Sequence, residues 1–394
     1  MRIGIDARFY GSLGKGLGRY TEKLIEHLEV LDQEHEYVIF LRKENFDEYQ
    51  PKNRRFKKVI AQYAWYGLTE QVLFVIMLYR FSLDLVHFPH FNVPVLYRKK
   101  FVVTIHDLIL VHYPTIRNTT RSAFFYWFKF LIYRLVIASA INRAKHIITV
   151  SHFTKRDIIK HYPKAENKIT VTYEAADPFC QYSSPQDEKR LLERLSLLHE
   201  SRVREETRAY RDIIEPYFLY VGNAYPHKNL SVLFAAAKAF PKYRLVLVGK
   251  GDFFYKRLEE QARREGLANV IFTGFLTDQE LSSLYRYARC YIFPSLYEGF
   301  GLPPLEAMGR GAVVVASDRG SLPEILGDAA RYFDPTDSAA LVKVLEDLEA
   351  HPNEKDDLRR RGYSQGARYR FRDMARDTRE IYQNIATNIY TCHR

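Results

Sequence analysis

The 394-residue chain has little cysteine, little tryptophan and no low-complexity tract. Its three cysteines, Cys180, Cys290 and Cys392, form an odd set without metal-ligand spacing, which predicts reduced thiols in a reducing compartment. The opening MRIGIDAR has no apolar leader ahead of its strand pattern, so the chain is expected in the cytoplasm. No apolar run is free of charge over a membrane-spanning length. The nearest, residues 123–140, carries Lys129 and Arg134 near its middle, and each would cost about 2.5 to 3.5 kcal/mol at a bilayer centre. That stretch reads either as a helix buried in a domain or subunit contact, or as an amphipathic helix at a lipid interface with its basic groups snorkelling outward.

What is present is globular. An apolar share of 47% with 27% charged residues can support a packed core, and the length predicts two domains. Tyr and Phe, 29 and 26 residues, supply nearly all of a 14% aromatic share that has room to fill such cores. The net charge of +12 favours phosphates, anionic lipids or nucleic acid as partners. It is uneven: residues 1–182 hold 27 Lys plus Arg against 17 Asp plus Glu, the remainder 32 against 30. The densest basic cluster is Lys52, Arg54, Arg55, Lys57 and Lys58, followed by Arg98, Lys99 and Lys100. No nucleic-acid-binding module accompanies the charge, so no nucleic acid partner is expected.

Short β-branched runs alternate with amphipathic stretches. Residues 2–6, 37–41, 85–88, 101–105, 146–150 and 169–171 read as strands, and 217–221, 244–248, 270–272, 290–294 and 312–316 repeat the rhythm. Helical spacing falls between them, over 19–30, 155–161, 231–239, 255–265 and 278–288. The alternation predicts an α/β chain of two doubly wound, Rossmann-like domains, with an interdomain cleft as the default ligand site. The expected divisions are residues 1–182, a charged linker 183–216 that is turn-rich at SSPQDEKR and helical after it, a second domain 217–369, and a C-terminal helix within 370–394 reaching back to the first domain.

The strongest motif is PSLYEGFGLPPLEAMGRG, residues 294–311. A strand enters a loop with Glu298, glycines allow close backbone approach, and Pro303 and Pro304 suit a first helical turn. Glu298 and Glu306 thereby bracket a helix N-terminus, whose N–H groups suit phosphate or hydroxyl groups. Upstream, YVGNAYPHKNL opens the second domain as strand, turn and helix with Lys228, while FVVTI ends at His106 and Asp107, where a parallel sheet presents its ligands.

The Glu-x7-Glu string with Gly-Phe-Gly-Leu-Pro inside it resembles the signature of retaining nucleotide-sugar glycosyltransferases of family four, which have the GT-B architecture. The resemblance implies that Glu298 faces the donor sugar, that Glu306 holds the ribose, and that Gly299, Phe300, Gly301 and Leu302 line the donor. It implies Lys228 on the diphosphate, with Asn223 where many relatives carry arginine and His227 where close relatives often carry another. It places His106 at the sugar, Gly16 of GSLGKGLGRY over the donor phosphates, Gly249 of VGKGD beside the nucleotide and Phe275 of FTGFL at the base. YEAAD, residues 173–177, departs from the family's usual Asn-Gly-Val-Asp.

The expected activity is retaining transfer of a hexose, first of all mannose from GDP-mannose, to a saccharide or lipid-linked saccharide acceptor in surface polysaccharide assembly. The alternatives are a UDP-sugar-dependent enzyme of the same fold and a GT-B-fold epimerase or hydrolase. No Asp-x-Asp occurs, so neither a metal nor another cofactor is expected, and Lys228 with helix N-termini would supply the positive charge. The basic N-terminal half and aromatic segment point to an anionic membrane surface, with the protein peripheral on its inner face.

Overall fold

A computed structural model of the chain describes residues 1–114, 123–176, 183–198 and 214–387. Cys180, Cys392, Asp177, most of the second half of the expected linker and the last residues of the C-terminal segment lie outside them. The chain forms two compact domains, Met1–Glu174 with Arg370–Arg394, and Ala175–Tyr369.

The first domain is built on seven parallel strands, β1 (Arg2–Asp6), β2 (Glu36–Leu41), β3 (Phe56–Ile60), β4 (Leu85–Phe88), β5 (Phe101–Ile105), β6 (His146–Thr149) and β7 (Ile169–Val171), in the order β3-β2-β1-β4-β5-β6-β7. The central strands β1, β4, β5 and β6 are buried almost throughout, as helices on both faces of a parallel sheet require. Those helices are α1 (Lys15–Leu31), α2 (Val75–Arg80), α3 (Ile109–His112), α4 (Ala123–Arg143) and α5 (His152–His161). Strand β3, absent from the sequence reading, is an edge: FKKVI buries Phe56, exposes Lys57 and half-buries Lys58, so no apolar run marks it.

The second domain has six parallel strands, β8 (Tyr217–Val221), β9 (Arg244–Val248), β10 (Val270–Gly274), β11 (Cys290–Phe293), β12 (Val314–Ser317) and β13 (Ala330–Phe333), in the order β10-β9-β8-β11-β12-β13. Its helices are α6 (Pro185–Arg194), α7 (Leu233–Ala239), α8 (Phe253–Arg264), α9 (Asp278–Tyr287), α10 (Leu302–Gly309), α11 (Leu322–Leu326), α12 (Ser338–Ala350) and α13 (Pro352–Gly366). Edge strand β13 was also unread in the sequence; four residues give too little pattern. In both sheets chain order reverses at one place, between β1 and β4 and between β8 and β11, and the loops after those strands must diverge there.

The charged segment after residue 182 differs from its sequence reading at its start. SSPQDEKR begins a helix instead of a turn: the Ser184 hydroxyl accepts from Asp187 N at 3.2 Å and Pro185 takes the first helical position. This helix, α6, packs on α9, where buried Glu188 accepts from Ser283 Oγ at 3.2 Å and Tyr287 OH at 2.9 Å. The C-terminal helix α14 (Phe371–Ala386) packs along α1 in the first domain. Its Tyr382 hydroxyl lies 2.5 Å from His87 Nδ1, and His87 Nε2 lies 2.8 Å from Thr104 Oγ1. Burial, with His106 nearby, pushes the His87 pKa down to about 3, so a neutral ring joins the two segments.

Residues 123–140 fall within α4, whose second half buries Ile137, Ala140 and Ile141 while Trp127, Leu131, Ile132 and Leu135 stay exposed. Neither a wholly buried helix nor a span describes it; among the described residues no helix is long and apolar enough to cross a membrane.

Arg8, fully buried after β1, makes a two-point pair with Asp6 (Nε and Nη2, both 2.7 Å) and a 2.6 Å pair with Glu70. Burial opposes the guanidinium charge, and Asp6 with Glu70 outweighs it, so its pKa stands above the ordinary value. Glu70 also accepts from Asn92 Nδ2 at 2.8 Å and Tyr66 N at 2.8 Å, tying three loops to one carboxylate. Glu70→Ala is expected to cost about 3 to 5 kcal/mol by leaving Arg8 half-compensated in the interior. Urea unfolding followed on the first domain checks this; an unchanged midpoint would mean that Asp6 alone suffices.

Candidate active site

In the second domain the signalled residues gather at the carboxyl edge of one sheet. Lys228 closes a 3₁₀ turn, Pro226–Lys228, that follows β8, and the next residue, Asn229, takes φ +55°. Glu298 lies on the loop after β11, the strand beside β8 at the order reversal. Lys228 Nζ donates to Glu298 Oε1 at 2.6 Å, with only 11% and 10% of the two side chains exposed. The ammonium also stands 5.2 Å from the centre of the Phe293 ring. Two loops are laced by backbone as well, Leu296 N donating to His227 O at 2.7 Å. Burial, and then Lys228, pushes the His227 pKa down to about 4, so the ring adds no second cation.

The Glu298 loop is held from β12. Ser321 Oγ donates to the carbonyls of Glu298 (3.1 Å) and Phe300 (2.7 Å). Gly320 has φ +66°, and a Cβ there would fall 2.8 Å from Glu298 N, so only glycine lets these backbones meet. Gly301, at φ +104°, caps α10, and Leu302, Pro303 and Pro304 form its first turn. Gly299 and Phe300 are buried; the Phe300 ring meets Tyr369 edge-on at 5.5 Å. Glu306 sits deeper in α10, 3.8 Å from Arg310.

Three other expected donor residues lie along the same edge. Gly249 follows β9, where a Cβ would strike Gly222 O at 2.2 Å and Tyr255 OH at 2.3 Å; its lack of side chain serves strand-end packing. Phe275, just past β10, is 81% exposed, a bare ring at a sheet's ligand edge. Asn223 is exposed, and its Oδ1 accepts from Tyr225 N at 3.3 Å, shaping the turn before Lys228.

In the first domain, His106 follows β5. Its Nδ1 lies 2.6 Å from Glu174 Oε1 and its Nε2 lies 2.9 Å from Pro89 O. Both partners are acceptors, so both ring nitrogens donate and the ring is an imidazolium with no lone pair to offer. Burial works against that charge, but Glu174, the Pro89 carbonyl and Asp107 outweigh it and raise the pKa. Gly16 stands in the first turn of α1: within GSLGKGLGRY a 3₁₀ turn, Gly11–Gly14, leads directly into α1 at Lys15. Gly14 and Gly18 are the glycines that close packing demands, their Cβ positions each 2.1 Å from a carbonyl oxygen, whereas Gly16 is exposed to open space.

One group among the described residues has metal-ligand proximity, His112, Asp157 and His161, with ligand atoms within 4.8 Å of one another. It belongs to α3 and α5 of the first domain, and His112 Nε2 already pairs with Asp157 Oδ2 at 2.8 Å.

Comparison with known proteins adds what geometry cannot. Residues 14–178 match the family model "Glycosyltransferase Family 4", and residues 204–365 match "Glycosyl transferases group 1". O-antigen chain mannosyltransferase B of Escherichia coli is 27% identical over 392 residues, covering 93% of this chain and 96% of that protein. The chain is a glycosyltransferase. O-antigen chain mannosyltransferase RfbU of Salmonella typhimurium is 29% identical to this glycosyltransferase, over 65% of it and 66% of that protein. The GT-B fold is shared with a sucrose-phosphate synthase from Thermosynechococcus elongatus, at TM-score 0.73 and 20% identity over 98% of this chain and 100% of that one.

Sequence reading of the glycosyltransferase missed Glu174, Ser321 and Gly320. Glu174 stands in the YEAAD string already set aside as atypical, and the other two lie in an ordinary-looking SDRGS. The His106–Glu174 pair has a definite pH signature. Because its folded-state pKa is raised, its stability contribution is fully present below about pH 6.5, the unfolded value, and is lost as pH rises through the folded one. The stability advantage of wild type over Glu174→Gln should therefore be larger at pH 6 than at pH 9; denaturant titrations at both check it, and a pH-independent difference would contradict the charged pair.

Proposed function

We propose that this glycosyltransferase moves mannose from GDP-mannose to a saccharide or lipid-linked saccharide, with retention at the anomeric carbon and without a metal or other cofactor. The observation that carries the reading is the buried Lys228–Glu298 pair at the order reversal of the second sheet, taken with the mannosyltransferase names of the relatives. Lys228 gives one of three N–H bonds to Glu298, which leaves donors for a diphosphate oxygen, while a carboxylate accepts sugar hydroxyls. Gly299 to Leu302 and Glu306 would line the sugar and ribose, and Gly249, Asn223 and Phe275 the nucleotide. In the step itself the bond between the anomeric carbon and the phosphate oxygen breaks, and the acceptor oxygen bonds that carbon from the same face. The hydroxyl proton passes to the departing phosphate oxygen, whose growing charge Lys228 meets. His106, with both N–H groups engaged by Glu174 and Pro89 O, brings a fixed positive charge to the sugar and is not the base in this scheme. The apolar residues exposed on α4 and the basic surface of the first domain support a peripheral position at an anionic membrane face.

A thermal-shift panel of GDP-mannose, UDP-glucose, dTDP-glucose and ADP-glucose names the donor, because a ligand that binds only the folded state raises its melting temperature. GDP-mannose should give the largest rise. Lys228→Ala and Glu298→Ala should each lower transfer by about 100-fold or more with the fold retained, and near-normal turnover in either would break its assignment. Activity should also survive EDTA; a complete loss restored by Mg would overturn metal-independent transfer.

A further inference from the structure

A second concentration of positive charge lies at the other end of the first sheet. A pocket of about 450 Å³ opens at the amino ends of β5 and β6, lined by Arg98, Lys99 and Lys100 before β5, Arg143 and Lys145 between α4 and β6, and Lys164 and Lys168 before β7. Its only other lining residues are Ala144 and Asn167, so seven cations meet with no carboxylate among them. Two form the wall. Lys168 Nζ donates to the Asn142 and Ala144 carbonyls at 2.8 and 3.0 Å, covering the end of α4, and Arg143 Nη1 donates to Val95 and Tyr97 carbonyls at 2.9 and 2.5 Å. The other five make no ion pair with a carboxylate among the described residues. Like charges crowded this way repel, and burial with Arg98 holds the Arg143 pKa below its ordinary value.

We propose that this pocket binds a phosphate group, presented as a phosphate ester or diphosphate. Its volume suits a small anion and not a duplex, and several cations around one cavity call for a ligand with several charged oxygens. The site is separate from the transfer chemistry and does not rest on the donor assignment. Lys100 and His106 flank five-residue β5 at its opposite ends, about 20 Å apart along the strand, too far for one sugar to touch both. The rim favours a phosphate that carries an apolar tail: Leu96 is 49% exposed, Lys99 Nζ stands 5.4 Å from the Tyr79 ring centre, and exposed Leu135 is about 12 Å from Arg143 along α4.

The test uses the full chain. Wild type, the pocket triple Arg98→Ser/Lys100→Ser/Lys164→Ser, and a control triple of equal charge loss, Lys52→Ser/Arg54→Ser/Arg55→Ser, are compared by flotation with phosphatidylglycerol and phosphatidylcholine vesicles, and by calorimetric titration with inorganic pyrophosphate. All six substituted side chains are exposed, and an unchanged melting temperature in each triple confirms the fold. Wild type should bind phosphatidylglycerol vesicles, and the pocket triple about 100-fold more weakly, with a much smaller effect in the control. Pocket-dependent binding of vesicles alone identifies a lipid headgroup, and pocket-dependent binding of pyrophosphate alone a soluble phosphate; each supports the site. Equal losses in both triples would show diffuse surface charge, and no binding of either probe would leave no phosphate site; both results overturn the proposal.

Discussion

The second domain is organised around the cost of keeping one ammonium and one carboxylate out of water. Each ion loses several kcal/mol of hydration at such a place, and the pair persists only if the partner stays within reach. Lys228 and Glu298 meet that condition at 2.6 Å because β8 and β11 are neighbours and the chain order reverses between them. Everything nearby limits how far either can drift: the His227 carbonyl bonded to Leu296, the Ser321 hydroxyl beneath two carbonyls, and glycine at 320 where no side chain fits. A charge pair at a sheet edge is expensive as a stabilising device, since apolar residues there would do as well. It makes sense where a third, charged species completes it, and a nucleoside diphosphate sugar is such a species.

The first domain solves a similar problem differently. Arg8 is closed off by Asp6 and Glu70, so this fully buried cation is committed inside the domain and serves to pin the loops after β1 and β4. His106 keeps its charge but spends both nitrogens on Glu174 and Pro89. A histidine so tied can fix the face of a ligand or polarise it, and cannot take a proton without first losing one. The geometry therefore separates the roles that a sequence motif leaves merged in the letter H.

Legibility in the sequence followed the physics of pattern. Central strands buried throughout, such as VVTI and YIF, stand out as unbroken apolar runs, whereas edge strands FKKVI and ARYF are only partly buried and carry charges that hide them. SSPQDEKR looks like a turn because its residues are polar, yet serine followed by proline is also how helices begin, and burial of Leu191 and Leu192 on the second domain decided between the two. Among the glycines of GSLGKGLGRY the family resemblance singled out Gly16. Two of them are instead demanded by backbone oxygens of the same turn, a contact that spacing alone does not reveal. Lys228 and Glu298 were both singled out because each sits in a recognisable string, and the structure brings them together; the pairing of His106 with Glu174 was not legible, since the two are 68 positions apart.

Net charge read along the chain misplaced the emphasis in an instructive way. An excess of ten in residues 1–182 and two in the remainder would rank the first domain as the anion binder. Yet a lysine that is 11% exposed, such as Lys228, would act on an anion through poorly screening surroundings, while exposed cations are weakened by water and by salt over a Debye length of about 8 Å. The number of cations therefore measures how a surface attracts anions, and burial measures how firmly one anion is held. The pocket before β5 and β6 has the number, drawn from three separated segments that no local motif joins. The edge after β8 and β11 has the burial, and a diphosphate bound there as proposed would need no basic excess around it.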